Sequence, residues 1–72
     1  MYIVVLRNFF PNKQTIVYSY VGKNGITQNK NEAHLFLLED AKVVQNLVKC
    51  TCHDFHVYSN ETIIADSTMW KG

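Results

Sequence analysis

Tyr2-Ile3-Val4-Val5-Leu6 decides how the rest of this chain must be arranged. It is rich in β-branched and aromatic residues, which favour extended backbone, and it is apolar at odd and even positions alike. Successive side chains of a strand point to opposite faces. Both faces of this segment therefore need cover, which places it in the middle of a sheet. Arg7-Asn8 ends the run, and Pro11-Asn12-Lys13 reads as a turn because proline arrives with φ already set. Phe9 and Phe10, between strand and turn, read either as a plug over the core edge or as an exposed anchor.

Working outward, Thr15-Ile16-Val17-Tyr18-Ser19-Tyr20-Val21 is a second strand. Its even positions, Ile16, Tyr18 and Tyr20, make a heavy aromatic face; its odd positions are lighter. Joined to the first strand by a short loop, it forms an antiparallel hairpin. Gly22-Lys23-Asn24-Gly25 then turns the chain, since Asn-Gly tolerates the positive φ of tight turns. The polar stretch from Ile26 to Asn31, with amides Gln28, Asn29 and Asn31, reads as a surface loop. Ala33-His34-Leu35-Phe36-Leu37-Leu38 fits a short strand or the first turns of a helix, and an unbroken apolar run does not decide between them by periodicity. The reading taken is a short extended segment followed by a helix from about Leu38 to Lys49.

That helix carries Leu37, Ala41, Val44 and Val48 at three- and four-residue spacing, with Leu47 widening the stripe. Glu39 and Asp40 in the first turn and Lys49 in the last suit the helix dipole. Lys42, Gln45 and Asn46 take the solvent side. At about 12 residues it is roughly 18 Å long, enough to cover one face of a small sheet and not two. Beyond it, Asp54-Phe55-His56-Val57-Tyr58 alternates as a strand, Ser59-Asn60-Glu61 reads as a turn, and Thr62-Ile63-Ile64-Ala65 returns as one more strand. The tail from Asp66 to Gly72 holds the only tryptophan, Trp70.

The expected fold is thus α+β, a mainly antiparallel sheet of three to five strands packed by a single helix in β-β-α-β order. Residues 1–72 form one small domain whose tail, 66–72, is the part free to be flexible. A surplus of apolar strand surface over helical cover points to a protein that binds another molecule. The uncovered face must meet the tail, a second copy or a partner. Tyr18, Tyr20, Tyr58 and Trp70 are the expected partner-binding residues, because Tyr and Trp bury large area while keeping a polar handle. A symmetric homodimer through that face is the simplest alternative to a separate partner.

Composition narrows the classes. A chain of 72 residues with 47% hydrophobic residues is globular and near the lower size limit for an unstapled core. A net charge of +1 gives no strong field toward nucleic acid or anionic lipid. The apolar start is too short for a signal core, no run approaches a membrane span, and the expected compartment is the cytoplasm, with thiols reduced. Cys50, Cys52, His53 and His56 lie within seven residues and include zinc-ligand types. One residue between the thiols is too few for a zinc knuckle and no second Cys pair exists, so neither metal nor cofactor is expected. A thiol nucleophile with His53 or His56 as base fails similarly, since neighbours on a strand point apart; the chain reads as non-enzymatic. Single-stranded nucleic acid is the alternative partner, with Tyr18, Tyr20 and Tyr58 stacking bases and Lys13, Lys23 and Lys30 meeting phosphates.

The run Asn29-Lys30-Asn31-Glu32-Ala33-His34-Leu35-Phe36 followed by Leu38-Glu39-Asp40-Ala41, placed after two strands and an Asn-rich loop, resembles small uncharacterised proteins of bacteriophages and prophages. The likeness spans roughly residues 1 to 58 and leaves out the tail. It implies an accessory factor that acts in the host cell cytoplasm, binding and modulating or inhibiting a host protein for host takeover or counter-defence.

Overall fold

A computed structural model describes residues 1–10, 13–51 and 59–71. The central segment becomes β1 (Tyr2–Phe10), flanked by β2 (Thr15–Gly22) on one side and β4 (Ser59–Asp66) on the other. A short β3 (Gly25–Thr27) extends β2, giving an antiparallel sheet of order β3-β2-β1-β4. One helix, α1 (Leu38–Thr51), packs on β1 and β4. The fold is α+β, as the pattern of elements predicts, with the added edge strand making the order β-β-β-α-β.

β1 is central for the reason its sequence gives. Ile3, Val4, Val5 and Leu6 are all buried, Val4 and Val5 completely. The ladder assigns their faces: Val5 pairs with Tyr20 and Ile63, and Ile3 with Ala65. Ile3, Val5 and Tyr20 form one cluster, joined by Tyr18, Ala33, Ile63, Ala65 and Trp70. Among the described residues, none from the helix belongs to it. Val4 and Leu6 point the other way, toward the side on which α1 packs, and Ala41 of α1 is fully buried.

Several local expectations change. Phe9 and Phe10 lie inside β1, paired with Ile16 and Thr15, so they extend the strand and do not end it. Gly25–Thr27 is a strand where a loop was expected, because the Gly22-Lys23-Asn24-Gly25 turn closes tightly enough for Val21 to pair with Ile26. Gly25 sits at φ 132°, a conformation that side chains disfavour. The amides of the following stretch build a 3₁₀ turn at Lys30–Glu32, where the Asn29 side chain accepts from the Asn31 amide at 3.0 Å. The chain then runs extended across the end of the sheet. His34 N–H donates to Val21, and Tyr2 and Phe36 exchange two main-chain bonds at 2.8 and 2.7 Å.

On the helix, Ala41 is buried and Val44 and Val48 are half-buried, as the spacing requires. Leu37, just before α1, is 64% exposed and Leu47 is exposed as well, so neither belongs to the packed stripe. Gln45 leaves the solvent side: half-buried, it donates from Nε2 to the Thr62 carbonyl at 2.9 Å. Ser59-Asn60-Glu61, read as a turn, is the beginning of β4. The strand expected over Asp54 to Tyr58 lies outside the described residues. Among those described, no helix is long and apolar enough to cross a membrane.

Candidate functional site: the aromatic face and its C-terminal cover

The face of the sheet opposite α1 is built by alternate residues of three strands. Its successive rungs are Ile3 with Ala65, then Val5 with Tyr20 and Ile63, then Arg7 with Tyr18 and Glu61, then Phe9 with Ile16. The first two rungs are apolar but for the Tyr20 hydroxyl. The third carries the charges: Arg7 and Glu61 face each other across the strands at 3.8 Å. Both are solvated, so the pair adds little stability.

The tail closes the apolar end. At the end of β4, Asp66 organises a compact turn. Its carboxylate accepts from the Thr68 amide at 2.9 Å and the Thr68 hydroxyl at 2.7 Å, while its carbonyl accepts from the amides of Met69 and Trp70. Ser67 donates to the Met1 carbonyl from both its amide and its hydroxyl, tying the turn to the start of β1. The Thr68 amide, then its hydroxyl, hold the Asp66 carboxyl below the usual value of 3.8, and the N-terminal ammonium adds a smaller pull.

This turn delivers Trp70 onto the aromatic face. The indole N–H donates to Tyr20 Oη at 3.0 Å, and the indole meets the Tyr18 ring edge-to-face, with centroids 5.2 Å apart and planes at 81°. Lys30 Nζ donates to the Trp70 carbonyl. Tyr20 is consequently 3% exposed. It is a core residue here and not the surface contact the sequence suggested, because the tail supplies the missing cover. Tyr18 and Trp70 are half-buried.

The structure thus brings together Tyr18, Tyr20 and Trp70 from the expected set. Tyr58, Cys52, His53 and His56 lie outside the described residues, and Cys50 falls near the C-terminal end of α1. Lys30 and Ala33 belong to the site; the sequence offered Lys30 only as a phosphate contact and did not point to Ala33. Lys30 lies forty residues from Trp70, and no periodicity links a loop lysine to a distant carbonyl.

Cover is less complete elsewhere. Ile16, on the last rung, is 41% exposed. Leu35, Leu37, Leu38 and Val43 are also exposed. The outer edge of β4 is blunted instead. Ser67 pairs inward with Met1, so alternation turns the main-chain groups of Thr62, Ile64 and Asp66 outward. Gln45 takes the Thr62 carbonyl and the tail turn takes that of Asp66. An added strand would have to displace both, a common defence of sheet edges. A cavity of about 510 Å³ lies between the β2–β3 turn and Glu32; the Glu32 carboxylate already accepts the Thr27 hydroxyl at 2.9 Å.

No family model matches the chain, and no curated protein or solved structure is detectably similar to it.

Proposed function

We propose that this chain is a small non-enzymatic accessory protein of the bacteriophage type, which binds a host protein stoichiometrically in the host cytoplasm and modulates or inhibits it. The observation that carries the reading is apolar surface left outside a finished fold. One helix covers one sheet face and Trp70 closes the end of the other, yet Leu37 and Val43 remain 64% and 59% exposed, with Leu35 and Leu38 beside Leu37 in sequence. Large apolar side chains left exposed by a finished fold favour an interface. The resemblance of roughly residues 1 to 58 to small uncharacterised proteins of bacteriophages and prophages supplies the host context. A homodimer through the same residues is the competing occupant.

The single-stranded nucleic-acid reading loses support from the burial of Tyr20 and from the commitment of Lys30 to the Trp70 carbonyl. A stacking platform needs open ring faces, and this site has spent its central ring on Trp70.

The test is affinity capture from bacterial lysate with the intact chain and with Leu37→Lys and Val43→Lys, followed by light scattering of the free chain and of any complex. The expected result is a one-to-one complex with a single captured protein, lost in the lysine variants while their fold persists. A folded chain that captures nothing, or captures equally well with both lysines in place, refutes the reading. A free chain of twice the monomer mass that reverts to monomer in the variants assigns the surface to self-association.

A further inference from the structure

Trp70 is held in a way that a simple apolar plug does not require. Three separate features of one residue are recognised: its indole N–H by Tyr20 Oη, its ring by the edge-to-face contact with Tyr18, and its main-chain carbonyl by Lys30. A leucine would satisfy one of these and a phenylalanine two. The residues around it contribute little to the face. Met69 is 75% exposed and Lys71 is exposed, and the bonds of Thr68 and Met69 return to Asp66 and not to the sheet. The strap is therefore anchored at two points, Ser67 on Met1 and Trp70 in its pit, with the exposed Thr68 and Met69 between them.

We propose that the pit formed by Tyr18, Tyr20, Ala33 and Lys30 is a binding site for a tryptophan-bearing peptide segment of a partner protein, filled in cis by Trp70 in the free chain. This rests on the reading of the chain as a protein-binding module. The cis occupant defines the ligand chemistry: an indole with its N–H directed at a phenol oxygen, on a residue whose own main-chain carbonyl accepts from an ammonium. Such a ligand competes with a tethered copy of itself. Its apparent affinity is its intrinsic affinity multiplied by the fraction of chains whose pit the strap has left, as for any site whose competent state is partly populated.

The test uses a fluorescein-labelled peptide of residues 66–72, titrated by anisotropy against the intact chain and against full-length Trp70→Ala, with the same peptide carrying Ala in place of Trp as control. The tethered strap competes at an effective concentration of about millimolar. Trp70→Ala should therefore bind the peptide saturably, one to one, and about tenfold or more tighter than the intact chain does. The control peptide should not bind. Absence of saturable binding by Trp70→Ala that retains dispersed amide resonances overturns the proposal. Should Trp70→Ala not fold, hydrogen exchange of the Trp70 indole N–H in the intact chain decides. Exchange faster than that of the Val4 and Val5 amides means that the indole leaves the pit while the sheet persists, and supports the site. Exchange at the rate of those amides makes the indole part of the core and overturns it. A chain that captures a host protein through Val43 yet ignores the peptide loses this inference and keeps its proposed function.

Discussion

The two faces of the sheet are closed by unequal means. On one, the fourteen residues of α1 pack on the side to which Val4 and Leu6 point, and Ala41 has no exposure at all. On the other, a turn of a few residues sets a single indole over Tyr18 and Tyr20. A helix shelters area through many weak contacts spread over several turns, so no single side chain controls it. The tail shelters area through one large side chain with a polar handle, and its effect is concentrated there. The comparison teaches that covering a face and occupying a site are different uses of apolar burial in one small domain.

The largest test removes the residue on which the second closure rests. Tyr20→Ala deletes a ring that is 3% exposed together with the acceptor for the Trp70 indole. A loss of about 3–5 kcal/mol is expected in urea unfolding, the range for buried aromatic truncation. For a 72-residue domain that is a large part of the whole. A loss under about 1 kcal/mol would mean that Tyr20 is not the core of this face.

Val4 and Val5 give a sharper comparison, since they are neighbours of one residue type, equally buried, and point to opposite faces. Val4→Ala and Val5→Ala should each lower stability by about 2 kcal/mol, from two lost methyl groups plus the cavity they leave. Their coupling to Trp70→Ala should differ. Val5 shares a cluster with Trp70, so the double variant should depart from additivity by about 0.5 kcal/mol or more; Val4 does not, and its effects should add. Equal coupling from both valines would show that the faces are not independently closed.

Gln45→Ala tests the seam between helix and edge strand. The change leaves the outward carbonyl of Thr62 without its side-chain partner. A loss of about 1 kcal/mol is expected, the net value of an intramolecular hydrogen bond, with a greater tendency to associate as the β4 edge is opened. Chemical denaturation and light scattering at rising concentration check the two parts.

Much of the frame was legible because it follows from local pattern. The doubly apolar run Ile3 to Leu6 required a central strand, the three- and four-residue spacing around Ala41 required a helix, and Gly22-Lys23-Asn24-Gly25 required a turn. The errors lie where long-range contact decides. Gln45 reads as a solvent residue until β4 brings a carbonyl to it. Ser59-Asn60-Glu61 has turn composition, yet pairing with Phe9, Asn8 and Arg7 holds it extended. Leu37 fits the helical stripe by spacing but precedes the first turn, where the chain still crosses the sheet end and points it outward. The site was legible by residue type, since Tyr18, Tyr20 and Trp70 do converge. Its direction was not: periodicity shows that a face needs cover without showing that the tail of the same chain provides it.

The smallest expected effect concerns how the strap is set at its hinge. Thr68 bonds to the Asp66 carboxylate and lowers its pKa below 3.8, so the folded state prefers the ionised form. A carboxyl depressed on folding stabilises the protein above its unfolded pKa, and that contribution disappears as pH falls through the folded value. Thermal midpoints should therefore be flat from pH 7 to about 5 and decline below about 4, with part of the decline belonging to Asp66. Asp66→Asn removes the titrating group while keeping an acceptor oxygen for Thr68. It should lower the midpoint slightly at pH 7 and flatten the acid limb, the two curves converging as pH falls through the folded value of Asp66. Because the turn presents Trp70, Trp70 fluorescence should begin to change in the intact chain at a pH above that of global unfolding. If the emission changes only together with the far-ultraviolet circular dichroism, the tail and the sheet open as one unit, and the difference between the two closures lies in their area alone.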